Sequence, residues 1–200
     1  MNPVAPGSRR FLLFALGSLV FALLAFVAVG AIGQNPPVNP NAKTIAEFTK
    51  RVEDYAALHK KLESTLPALS KESTPQQIDG HQRNLAGLIA KERVTAKQGD
   101  LFTVEMQAMV RELVKQVFAK GDAKLLRASI MDENPGPVKL TVNGRYPDTV
   151  PMASMPTDVL KGLPPLPEAL EYRFVGETLV LFDSHAHTIA DFVPNALPKA

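Results

Sequence analysis

Not one of the 200 residues is cysteine. That absence excludes disulfides, thiolate metal ligands, a cysteine nucleophile and a lipidated cysteine. A basic surface is also missing. The chain holds 22 basic and 20 acidic residues, for a formal charge of +2, and Arg9 and Arg10 account for the surplus. Lys60, Lys61, Lys91 and Arg93 are interleaved with Glu53, Glu63 and Glu92, as on a solvated helix surface. A nucleic-acid binder needs its cations clustered on one face, so no nucleic-acid partner is expected. Gly136, Gly144, Gly162 and Gly176 stand alone, which excludes a glycine-rich phosphate loop. No Gly-x-Ser-x-Gly elbow exists, and Ser184 beside His185 is not a triad, because triad members meet in space rather than in sequence. The six methionines form no copper-binding array.

What is present is an ordinary globular balance, 46% hydrophobic and 21% charged, behind an unusual start. Phe11 to Ile32 is a 22-residue apolar run without charge. As a helix it rises about 33 Å, enough to cross a hydrocarbon core of about 30 Å. The preceding arginine pair keeps the amino end in the cytoplasm. Two fates are open. The run is retained as a single-pass anchor in the membrane, or a signal peptidase cuts after Gly33, where Ala31 and Gly33 are small. Either way the remainder is exported to the cell envelope. Residues 1–33 are thus a targeting segment, and the proline- and asparagine-rich residues 34–42 are an extended linker. Without disulfides the exported part relies on its core, and a domain of about 160 residues buries roughly two-thirds of its unfolded surface.

Residues 43–133 read as helical. Thr44 and Glu47 make a capping box. Ile45, Phe48, Val52, Tyr55, Leu62, Leu66 and Leu69 then form one stripe, interrupted by His59. Thr74-Pro75-Gln76-Gln77 starts a second helix, expected to run to about Ala96. A third helix carries Leu101 to Phe118, and Asp122 caps a short fourth from Ala123 to Met131. Folding the first two helices antiparallel about residues 70–71 brings His59 near His81, with Glu63 one turn from His59. A metal site needs three or more convergent ligands and the spacing suggests two, so these read as core-edge histidines.

Residues 134–200 hold ten of the 17 prolines. Val138 to Val142 alternates before Asn143-Gly144, a strong hairpin signal, with Arg145 and Tyr146 starting the return strand. Thr157 to Gly162 reads as a brief helix and Leu163 to Pro167 as an extended connector. Glu171 to Val175 and Thr178 to Asp183 flank the turn Gly176-Glu177, and a third strand spans His187 to Val193. The fold class is α+β: the targeting helix, then a helical hairpin and a third long helix packed on a small antiparallel meander, with residues 43–133 and 134–200 as parts of one domain.

Three runs carry a resemblance: LPPLPEALEYRFVG (Leu163–Gly176), LVLFD (Leu179–Asp183) and IADFVPNALP (Ile189–Pro198). Together they resemble the carboxyl-terminal part of exported hypothetical proteins from soil bacteria, over the last third of the chain. The resemblance implies a shared fold there and no activity.

The sharpest motif is Asp183-Ser184-His185-Ala186-His187. On a strand, alternate side chains share a face, and Asp183, His185 and His187 make a ligand set for zinc or ferrous iron. The string is similar to the first-strand signature of barrel-type metal-dependent hydrolases. Only 13 residues follow it, however, and a barrel needs about 250. In the opposing reading, Ser184 to Ala186 form the turn between two strands and the histidines face solvent. The leading expectation is therefore a non-enzymatic envelope protein that binds or scaffolds a protein partner, or self-associates, and needs no cofactor. The alternative is a metal-binding protein or metal-dependent hydrolase using Asp183, His185 and His187.

Overall fold

The computed structural model describes residues 39–132 and 138–199. The apolar run 11–32, the cut after Gly33, the linker up to Val38 and residues 133–137 lie outside the described residues. Among the described residues, no helix is long and apolar enough to cross a membrane.

Helix α1 spans Ala42–Glu63 and starts two residues before the expected cap. Asn39 is the reason. Its side chain accepts from the Asn41 N–H and its carbonyl from the Ala42 N–H, both at 2.9 Å, so the chain turns helical immediately after Pro40. Thr44 thereby becomes an interior residue. Phe48, Val52, Tyr55, His59 and Leu62 are buried, so His59 continues the apolar stripe. Leu66 and Leu69 fall beyond the helix. Pro67 disfavours helical geometry at Leu66, and the last turn tightens through Thr65 N–H to Leu62 O at 3.0 Å and Leu66 N–H to Glu63 O at 2.9 Å.

Helix α2, Pro75–Glu92, opens on a complete capping box. Thr74 accepts from the Gln77 N–H at 3.3 Å, and Gln77 returns an acceptor to the Thr74 N–H at 2.8 Å. It stops short of Ala96 because Asn143 captures its end, donating to Arg93 O at 2.9 Å and accepting from the Arg93 guanidinium at 2.7 Å. Helices α3 (Val104–Lys120) and α4 (Ala123–Met131) follow, capped by Thr103 and Asp122. Helix α5, Thr157–Gly162, packs its final glycine against α3: a Cβ there would stand 2.4 Å from Leu113 Cδ1.

Strands β1 (Leu170–Val175), β2 (Thr178–Asp183) and β3 (Thr188–Val193) form an antiparallel sheet in that order. Gly176, with φ of 57°, makes the β1–β2 turn. The molecule is α+β, as the sequence predicts. One hairpin does not form. Residues 138–152 hold no strand, and Asn143 and Gly144 pair with β3 instead: Asn143 N–H reaches Ile189 O at 2.8 Å, and Ile189 N–H reaches Gly144 O at 3.0 Å. A local turn signal here serves partners far along the chain.

Strand β2 is covered on both faces. Leu179 and Leu181 join Phe48, Val52 and Phe102 in the main core, while Val180 and Phe182 pack with Tyr146 and Ile189 under the 138–152 segment. Alternation from Leu179 and Leu181 carries Asp183 to the helical side, where it is fully buried.

Candidate metal centre

Tyr55, His59 and Glu63 lie four residues apart, on one face of α1. Tyr55 and His59 are buried, and Glu63, at the last turn, is part-exposed. The face meets Asp183 at the end of β2. Asp183 Oδ2 accepts from the Tyr55 hydroxyl at 2.7 Å and lies 2.6 Å from His59 Nδ1. Its Oδ1 accepts from the Ala186 N–H at 2.8 Å, which also folds the turn after β2. Both carboxylate oxygens are thus taken by donors. Burial, then the charge of Asp183, push the Tyr55 hydroxyl well above its ordinary pKa, so it remains a donor.

Paired with a carboxylate, Nδ1 is the nitrogen of His59 that carries the ring proton. The other nitrogen, Nε2, faces a second carboxylate, Glu63 Oε2, at 3.3 Å. A neutral imidazole carries a single N–H, so Nε2 would oppose a lone pair to a carboxylate unless a cation lies between them. That cation is a second proton or a metal ion. Burial lowers the His59 pKa, but the hydrogen bond and charge of Asp183, with the charge of Glu63, outweigh it and hold the group above its ordinary value.

Two more histidines reach the same carboxylate. His185 Nδ1 is 3.0 Å from Glu63 Oε1, and His81 Nε2, from α2, is 3.6 Å from it. Three of the four histidines therefore converge on Glu63. His59, Glu63 and His185 each offer a ligand atom, all within 4.8 Å of one another. The two histidines approach different oxygens of the Glu63 carboxylate, His59 Nε2 at 3.3 Å from Oε2 and His185 Nδ1 at 3.0 Å from Oε1.

The motif Asp183-x-His185-x-His187 is divided. Residues 184–187 form the turn between β2 and β3, so strand alternation ends at Asp183. Asp183 and His185 border the cluster from different sides, one behind His59 and the other beside Glu63. His187 adopts φ of 54° and turns toward the other face of the sheet. There its ring packs against Phe182 and Tyr146, with centroids 5.2 and 6.2 Å away, and its Nε2 lies 3.3 Å from Asp148 Oδ1. Of the two histidines, His185 is exposed and His187 half-buried.

The sequence signal for this centre is the His59-x-x-x-Glu63 pair, with His81 across the helical hairpin. The joining of that pair to His185 is absent from any local pattern, as is the service of Tyr55 to Asp183. A cleft of about 630 Å³ opens on the cluster, lined by Lys60, Glu63, His81 and His185 together with apolar side chains from residues 66–78.

No protein-family model, curated protein or solved structure matches this chain.

Proposed function

We propose that this protein is an exported cell-envelope protein whose folded part binds a divalent transition-metal ion through His59 Nε2, Glu63 and His185, with His81 beside them. Export is supported by the apolar run 11–32 behind Arg9 and Arg10. The metal reading rests on one observation: the His59 ring is held between two carboxylates, by Asp183 on Nδ1 and by Glu63 on Nε2. A metal on Nε2 satisfies both sides with one imidazole proton. A carboxylate on the non-ligating nitrogen is the usual outer partner of a zinc-bound histidine. In this reading Asp183 orients a ligand and is not one itself. Imidazole and carboxylate without thiolate suit zinc, nickel, copper or ferrous iron.

The test is metal analysis of the untagged full chain, purified in detergent, followed by zinc titration of chelator-treated protein. One ion per chain, lost in Glu63→Gln, is the expected result. Sub-stoichiometric zinc, iron, nickel and copper, with no uptake on titration, removes the reading. Nuclear magnetic resonance would then show His59 as an imidazolium.

A second reading is favoured by the cleft alone. Three protein ligands leave an open position, and a water bound there facing the cleft would be acidified for hydrolysis. A metal-dependent hydrolase is distinguished from a carrier by turnover of ester or amide substrates that disappears on chelation.

A further inference from the structure

The cleft beside the cluster is lined by two kinds of side chain. Glu63, His81, His185 and Lys60 are polar or charged, while Leu66, Ala68, Leu69 and Ile78 are apolar. Leu69 and Ile78 are 43% and 40% exposed, so part of this apolar lining is open to a ligand. We propose that the cleft binds a small amphipathic carboxylate, its head on the open position of the metal and its aliphatic arm along Leu66, Leu69 and Ile78. This rests on the metal reading above.

Charge sets the head group. The two charges of a divalent ion are matched by Glu63 beside it and the buried Asp183 behind His59. Lys60 then remains as a cation in the cleft wall, with no ion pair to a carboxylate among the described residues. One anionic head neutralises that charge. Without the metal the head has no coordination position to take, so binding requires the loaded protein. Size sets the tail. A volume of about 630 Å³ is that of a small-molecule site. Each methylene taken out of water adds to affinity, which an acetate cannot exploit and a hexanoate can.

The experiment uses the full chain loaded with cobalt, whose visible absorption reports ligands entering the metal's coordination sphere. Acetate and hexanoate are titrated separately. Hexanoate is expected to half-saturate the spectral change at a concentration about tenfold below acetate. In the double variant Leu69→Asn/Ile78→Asn that advantage shrinks below about twofold while the cobalt content stays at one per chain. Equal half-saturation by the two acids, or no spectral response to either in cobalt-loaded protein, overturns the proposal and leaves the metal reading standing. Failure of the chain to take up cobalt or zinc overturns both.

Discussion

Asp183 Oδ2 stands 2.6 Å from His59 Nδ1, joining the end of β2 to the buried face of α1 across 124 residues of sequence. The relationship fixes which nitrogen of His59 is free. Asp183→Asn breaks it in a defined way. An amide nitrogen facing Nδ1 drives the imidazole proton to Nε2, where it blocks a metal. Zinc affinity is expected to fall about 10–100-fold, the ordinary cost of losing an outer carboxylate partner. Zinc titration of the variant measures this, and unchanged affinity would mean that His59 is not a ligand.

Glu63 separates metal binding from folding. It is part-exposed, and a glutamine amide in its place can donate to the lone pair of a neutral His59 Nε2. Glu63→Gln should abolish stoichiometric zinc while changing the stability of the metal-free protein by less than about 1 kcal/mol. Denaturant midpoints taken in the presence of chelator, beside metal analysis, check both halves.

Asp191 gives the opposite pattern. It is fully buried and accepts from the N–H groups of Gly99 at 3.0 Å, Leu101 at 2.7 Å, and Phe102 and Phe192 at 2.8 Å. Burial pushes its carboxyl above the ordinary value, against the pull of these four donors. Asp191→Ala leaves the α2–α3 connection with unsatisfied amides and should cost about 2–5 kcal/mol. Zinc stoichiometry should survive in whatever fraction folds. A loss below about 1 kcal/mol by urea denaturation would contradict the role of these bonds.

His187 carries a pH signature of its own. Burial, helped by the Arg145 charge, holds its folded pKa below the ordinary 6.5. Between the two values the unfolded chain binds the proton that the folded chain does not, so stability rises with pH. The contribution is fully present above 6.5 and is lost as pH falls through the folded pKa. Asn tolerates the left-handed backbone found at this position, so His187→Asn removes the titration without straining the turn. The stability difference between wild type and this variant, in chelator, should favour wild type more at about pH 7.5 than at about pH 5.5. Equal differences at both would show that His187 does not titrate this way.

Much of the secondary structure is legible because its causes are local. The Thr74–Gln77 capping box, the Gly176-Glu177 turn and the stripe from Phe48 to Leu62 involve residues within a few positions of one another. The misreadings occur where a distant partner competes. Asn143-Gly144 is a hairpin signal that Arg93 and Ile189 take over, and Thr44 loses its cap to a turn made by Asn39.

By itself, the order of residues determined the absence of thiol chemistry, the apolar run ahead of a helical and then a proline-rich half, and the His59–Glu63 pair one turn apart on α1. Only the tertiary structure decided that His185 joins that pair and the His81 expected beside it, that Asp183 stands behind it and that His187 belongs to the opposite face of the sheet. The physical reason is burial: each helix and strand presents its apolar side to a shared core, and that packing brings together polar groups more than a hundred residues apart.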